Sequence, residues 1–127
     1  MDLRSLLDRW TRHLNAGQIE QVVALYADQA TLIPTFSART LTTSDAIRGY
    51  FDELGERPGL VASFHLATVR DQALTDSLHI VSGLYSFRFE VDDHPLTFEA
   101  RFTFVVDTSQ EAPILHHHSS QIPRAFG

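Results

Sequence analysis

The sequence predicts an α+β domain in which three N-terminal helices pack on a curved antiparallel sheet. Three observations carry this reading. Apolar residues recur at helical spacing as far as Leu54. From Leu60 onward the period changes from that of a helix to that of a strand. Four strand-like runs then follow, separated by turn clusters at hairpin spacing, which favours an antiparallel meander. Helices followed by strands form an α+β layer arrangement, with the apolar side of the helices covering one sheet face.

The first helix is expected over residues 2–15. Leu3, Leu6, Leu7, Trp10 and Leu14 share a stripe, and Asn15-Ala16-Gly17 is a stop signal in which Gly17 can take the left-handed cap. A second helix is expected over 18–27, with Ile19, Val22, Val23 and Tyr26 apolar, and the short turn makes the two a helical hairpin. Residues 30–33 read as a short strand ended by Pro34, with Phe36 a candidate to continue the pairing. Thr42, Thr43, Ser44 and Asp45 are helix-start residues for a third helix that turns Ile47, Tyr50, Phe51 and Leu54 inward and ends at Gly55 and Pro58-Gly59. Strands are expected over 61–74, 78–91, 96–107 and 114–122.

Composition bounds the function. The chain's 127 residues suit one domain spanning 1–127, and 43% hydrophobic with 20% charged is an ordinary soluble balance. A formal net charge of -6 offers no basic field for a nucleic-acid or acidic-lipid partner. With no cysteine, disulfides, thiol catalysis and cysteine metal sites are excluded. No apolar run approaches the roughly 20 residues of a membrane span. The first residues lack a signal peptide's apolar stretch, so a cytoplasmic location is expected. No glycine loop cradles a phosphate and no nucleophile elbow surrounds Ser119 or Ser120, so no cofactor and no serine chemistry is expected.

The order of elements resembles a known superfamily. Its carriers are Asn15-Ala16-Gly17-Gln18-Ile19-Glu20, Asp45-Ala46-Ile47-Arg48-Gly49-Tyr50-Phe51, Phe87-Arg88-Phe89, Glu99-Ala100-Arg101-Phe102 and the ending His116-His117-His118-Ser119-Ser120 with Pro123. On these the chain resembles the nuclear-transport-factor-like, or SnoaL-like, cone fold of cystatin-like type. Within that superfamily it resembles the association domain of calcium/calmodulin-dependent protein kinase II. The resemblance implies a cone with a pocket at its open end, and homodimers or larger rings formed through the outer sheet face. It also implies pocket arginines that bind small carboxylates, at the positions of Arg88 and Arg101; a further arginine expected near the end of the last strand is Ser119 here.

Alternation on the strands allows two face assignments. Tyr85, Phe87, Phe89, Phe98, Phe102 and Phe104 share one side, and Arg88, Glu99 and Arg101 share the other. In the first assignment the phenylalanines pack on the helices and the arginines face water, which the pattern alone favours. In the second the arginines line the cone and the phenylalanines meet another subunit; the resemblance favours this one, and it is adopted as the expectation. The expected ligand site is then Arg88, Arg101, His117, Ser119, Glu99 and Tyr50, holding a small organic molecule, expected to be an anion such as a carboxylate. Glu99 would steady one arginine. His116 and His118 share the face opposite His117, and without a third ligand at recognisable spacing no metal is expected. Two rival functions remain open: a cofactor-free isomerase, dehydratase or cyclase working by acid-base chemistry, and an oligomerisation hub with a vestigial pocket.

Overall fold

The computed structural model describes residues 2–123. Helix α1 (Leu3–Asn15) starts at Asp2, whose carboxylate accepts the Ser5 amide at 2.9 Å, and ends before Gly17, which takes φ +71°. It buries Leu6, Leu7, Trp10 and Leu14 on one stripe. Helix α2 (Ile19–Val23) is shorter than predicted, and residues 26 and 27 belong instead to strand β1 (Tyr26–Ile33), which starts earlier than expected. Val22 and Tyr26 are four apart, a spacing that leaves both on the inner side in a helix and in a strand, so periodicity could not separate the two. Helix α3 (Ser44–Gly55) starts at Thr43, whose hydroxyl accepts the Ala46 amide at 3.1 Å, and it buries Ile47, Phe51 and Leu54.

The remaining strands are β2 (Val61–Phe64), β3 (Arg70–Ala73), β4 (Leu78–Val91), β5 (His94–Asp107) and β6 (Ile114–Gln121). Their order is β1-β6-β5-β4-β2, with β3 also on β4. The sheet is mixed and not purely antiparallel, because β1 runs parallel to β6 at one edge. The strand predicted over 61–74 is broken. Phe64 pairs with Tyr85 and Arg70 with Ser82, so residues 65–69 stand opposite Gly83 and Leu84 alone. The excess forms a 3₁₀ turn, Leu66–Thr68, pinned by Leu84 N–H donating to the Thr68 hydroxyl at 2.9 Å. Gly83 makes room for it: a Cβ there would sit 3.1 Å from the Thr68 hydroxyl oxygen and 3.2 Å from both the Phe102 ring and the Val69 Cα. The β4–β5 hairpin turns on Asp92 and Asp93, at φ 52° and 65°, the left-handed pair of a type I′ turn, so β5 begins at His94.

The inner sheet face packs on the helices with Val81, Tyr85, Phe87, Phe89, Phe102, Phe104 and Val106, all buried. This overturns the expectation of inward arginines. Arg88 and Arg101 are exposed on the outer face, where Arg101 stands opposite Leu84 and Ser120. The physical reason is the hydrophobic effect: each buried phenylalanine contributes about 1.5–3 kcal/mol, whereas a buried guanidinium without a partner costs several. A register shift between Val105 and Val106 leaves Leu115 as an extra residue on β6, so that buried Ile114 and buried His117 both face inward.

Two of the three edge strands, β2 and β1, are occupied locally by the chain itself, while β3 is exposed along its length. Asn15 donates its side-chain amide to the Ala62 carbonyl at 2.9 Å and accepts the Ala62 amide at 2.7 Å, on β2. Leu41 does the same for β1, exchanging two backbone hydrogen bonds of 2.8 and 2.9 Å with Leu32. Among the described residues no helix is long and apolar enough to cross a membrane.

Candidate functional site

The interior of the cone holds a polar chain inside an aromatic shell. Trp10, 1% exposed, is ringed by Phe51, Phe64, Tyr85, Phe87, Phe104 and His117 at centroid distances of 5.4–6.4 Å. Its indole N–H donates to the Tyr26 hydroxyl at 3.0 Å. Tyr26 lies 2.8 Å from His117 Nδ1, and His117 Nε2 lies 3.0 Å from the Tyr85 hydroxyl. Tyr85 donates to Ser119 Oγ at 2.5 Å, and Ser119 in turn is 2.5 Å from the Thr35 hydroxyl. The chain therefore spans α1, β1, β6, β4 and the strap that follows β1. It has the fully satisfied character that buried polar networks require, since no buried side-chain nitrogen or oxygen among the described residues lacks a partner.

Burial governs the protonation of this chain. His117 is held neutral, its pKa pushed down to about 3, first by loss of hydration and then by the neighbouring His116 and His118. Loss of hydration also raises Tyr26 and Tyr85, so both stay protonated, and it pushes Tyr50 up to about 12.

Two spaces meet at Tyr50. The inner one is a cavity of about 10 Å³ bordered by Thr35, Tyr50, Tyr85, His117 and Ser119, at the lower limit of room for one water. The outer one is a groove of about 510 Å³ between α3 and the strap of residues 34–43, with Arg39, Tyr50, Glu53 and Arg57 among its walls. Phe36 lines the outer one. Its ring stands edge-on to Phe87, Phe89 and Phe98 at 5.4–5.5 Å, and its amide donates to the Tyr50 hydroxyl at 3.3 Å. Thr35 also lies beside the Tyr50 hydroxyl. The Arg57 guanidinium lies over the Phe89 ring at 5.3 Å. A second hollow of about 510 Å³ lies beside the start of α1, near Asp2, Asp71 and His79, and shares no residue with the polar chain.

The six site residues read from the sequence are thus divided. His117 and Ser119 are buried in the cone, 2% and 4% exposed, and Tyr50 joins them at its mouth. Arg88, Arg101 and Glu99 lie on the other side of the sheet, and Glu99 pairs with His65 Nε2 at 2.8 Å and not with an arginine. Register explains the split: Ser119 stands opposite Phe102 and His117 opposite Phe104, so both follow the phenylalanine face. Sequence reasoning missed Thr35, Tyr85, Arg39 and Arg57 as site residues. Tyr85 carried a signal, as the one hydroxyl-bearing ring in the phenylalanine row of β4; Thr35, Arg39 and Arg57 sit in irregular segments that no periodicity marks.

A helical layer over a curved mixed sheet, with polar side chains gathered inside, defines an α+β cone of the cystatin-like class. The chain belongs to the SnoaL-like domain family, whose model matches residues 3–125. Among curated proteins none matches it by sequence. A solved candidate calcium/calmodulin-dependent protein kinase II association domain from Xanthomonas campestris is 26% identical, with a TM-score of 0.86 over 97% of this chain and 87% of that one. A ketosteroid isomerase-like protein from Erwinia carotovora atroseptica is 12% identical, with a TM-score of 0.76 over 96% and 95% of the two chains. An NTF2-like protein with a cystatin-like fold from Novosphingobium aromaticivorans is 10% identical, with a TM-score of 0.78 over 97% and 81%. The last two likenesses speak to the fold alone.

Proposed function

We propose that this SnoaL-like domain binds a small organic anion in the groove at the mouth of the cone. The carrying observation is the groove's place at the mouth of the cone, where it shares Tyr50 with the inner cavity; its volume of about 510 Å³ lies in the range of roughly 300–1,000 Å³ usual for small-molecule sites. It adjoins the buried polar chain through Tyr50, and its lining holds two arginines, Arg39 and Arg57, against one acidic residue, Glu53. An arginine fork meets a carboxylate with two charge-assisted hydrogen bonds, which makes small carboxylic acids the favoured class. The anionic preference expected from the sequence is thereby moved from Arg88 and Arg101 to Arg39 and Arg57. An acid-base enzyme of isomerase, dehydratase or cyclase type is less well supported. Its natural base within the cone, His117, takes up a proton only far below neutral pH.

Titrating benzoate and other small carboxylates by calorimetry tests the binding reading. Millimolar or tighter binding is expected, weakened about tenfold by Arg57→Ala, the loss of one charge-assisted contact. If no carboxylate binds, or Arg57→Ala and Arg39→Ala bind as well as the parent, the groove is not an anion site.

We further propose that the outer sheet face joins two copies. Ile80, Leu84 and Val105 are half-buried there beside Thr103 and exposed Arg101, a mixed apolar and polar surface of the kind that homodimers cover. Light scattering is expected to return twice the chain's 14.3 kDa, and Leu84→Asp to return a monomer. A parent protein of single-chain mass sinks this part.

A further inference from the structure

The polar chain can run in only one direction without stranding a proton. The Trp10 indole N–H is a donor and never an acceptor. Tyr26 receives it, so the single Tyr26 hydrogen has His117 Nδ1, 2.8 Å away, as its outlet. A neutral imidazole carries one N–H, which is then on Nε2 and points at the Tyr85 oxygen, 3.0 Å away. Tyr85 passes its hydrogen to Ser119, and the Ser119 hydrogen falls to Thr35. Reversal would leave the Tyr26 hydroxyl hydrogen facing a donor inside the core, and an unmade hydrogen bond there costs about 1–3 kcal/mol.

The same logic reaches the groove. The Tyr50 oxygen already receives the Phe36 amide at 3.3 Å and stands beside the Thr35 hydroxyl, the last member of the chain. Its own hydrogen is left to turn outward, since Tyr50 lines both the inner cavity and the groove. We propose that Tyr50 is the specificity-determining residue of the groove: left as a donor by the Phe36 amide that its oxygen accepts, at the end of a one-way chain that begins at the Trp10 indole, it selects ligands that place an acceptor oxygen, a carboxylate or a carbonyl, against its hydroxyl. This rests on the reading of the groove as the ligand site and adds a demand that charge alone does not make. A neutral ligand with a carbonyl is selected too, and an otherwise similar ligand without one is not.

Two measurements test it. The first is the ¹⁵N spectrum of His117 in the unliganded protein, which needs no variant: a protonated Nε2 and a bare Nδ1 are expected, and a protonated Nδ1 overturns the one-way chain. The second compares benzoate, benzamide and toluene on the parent protein, on Tyr50→Phe and on Arg57→Ala, with melting temperatures confirming that the variants fold. Tyr50→Phe is expected to weaken benzoate and benzamide about tenfold and to leave toluene unchanged, the scale of one hydrogen bond; Arg57→Ala is expected to weaken benzoate alone. If the probes bind, respond to Arg57→Ala and ignore Tyr50→Phe, the donor role of Tyr50 is wrong while the anion groove stands. If benzamide responds to Tyr50→Phe but benzoate ignores Arg57→Ala, the donor role stands and the anion reading fails. If none binds, both fall together.

Discussion

Acidification from pH 6.5 to about 4.5 is expected to destabilise the fold through His117 alone, with a slope that steepens to about 1.4 kcal/mol per pH unit at the lower end. The imidazole takes up a proton at about 3 in the folded state and at 6.5 when unfolded. Above 6.5 neither state is protonated and the group adds no pH dependence. Below 6.5 the unfolded chain binds a proton that the folded chain refuses, so stability falls as pH falls, until the folded site also protonates near 3. The window above about 4.5 is the informative one. Glu20 and Asp107, whose pKa values are lowered from 4.5 and 3.8 by hydrogen bonds from Arg48 and Ser109, lose their contributions only below it. Urea denaturation at several pH values gives the slope. His117→Gln, which keeps one acceptor and one donor for the two tyrosines without titrating, is expected to lower stability at pH 7 and to remove this part of the slope. An unchanged slope in that variant would show that His117 is not the group responsible.

Trp10→Ala is expected to cost about 3–5 kcal/mol, the scale of a large aromatic side chain deleted from a closed core. The loss has two sources. Six neighbouring rings lose a face to pack on, and Tyr26 loses the N–H that its oxygen accepts. Trp10→Phe separates them, because it keeps most of the packing and removes only the donor. Its cost is expected to be smaller, and the His117 ring is then free to carry its proton on either nitrogen. Equilibrium unfolding followed by circular dichroism reads both variants, since fluorescence is lost with the single tryptophan. A loss under about 1 kcal/mol for Trp10→Ala would mean that the cone interior is not the cooperative core described above.

How far the sequence could be read depended on whether one physical rule acted alone. The helix starts at Asp2 and Thr43 and the stop at Gly17 were legible because capping chemistry is local. The phenylalanine alternation on β4 and β5 was legible too, and by itself it pointed to the arrangement found. What misled was the likeness of Arg88 and Arg101 to pocket positions in relatives, which outweighed a burial rule that deserved more weight than analogy. The breaks at residues 65–69 and at Leu115 were not legible, because an unpaired residue in a strand is decided by its partner across the sheet and leaves no mark on its own period. The pairing of β1 with β6 has the same cause: Leu32 and His117 are far apart in the chain, and only the finished sheet makes them neighbours.

The hydrogen bonds that Asn15 makes to Ala62, and Leu41 to Leu32, bear on how this protein behaves in a crowd. A strand with bare amides and carbonyls invites a stranger's strand to add to it, and repeated addition ends in fibrils. Here a docking strand would have to evict a side chain at β2 or a loop at β1, and at the open β3 it would find only four residues, Arg70 and Asp71 among them, too short and too charged a template to extend. Self-assembly is thereby steered away from open-ended stacking and left to broad, closed contacts between faces.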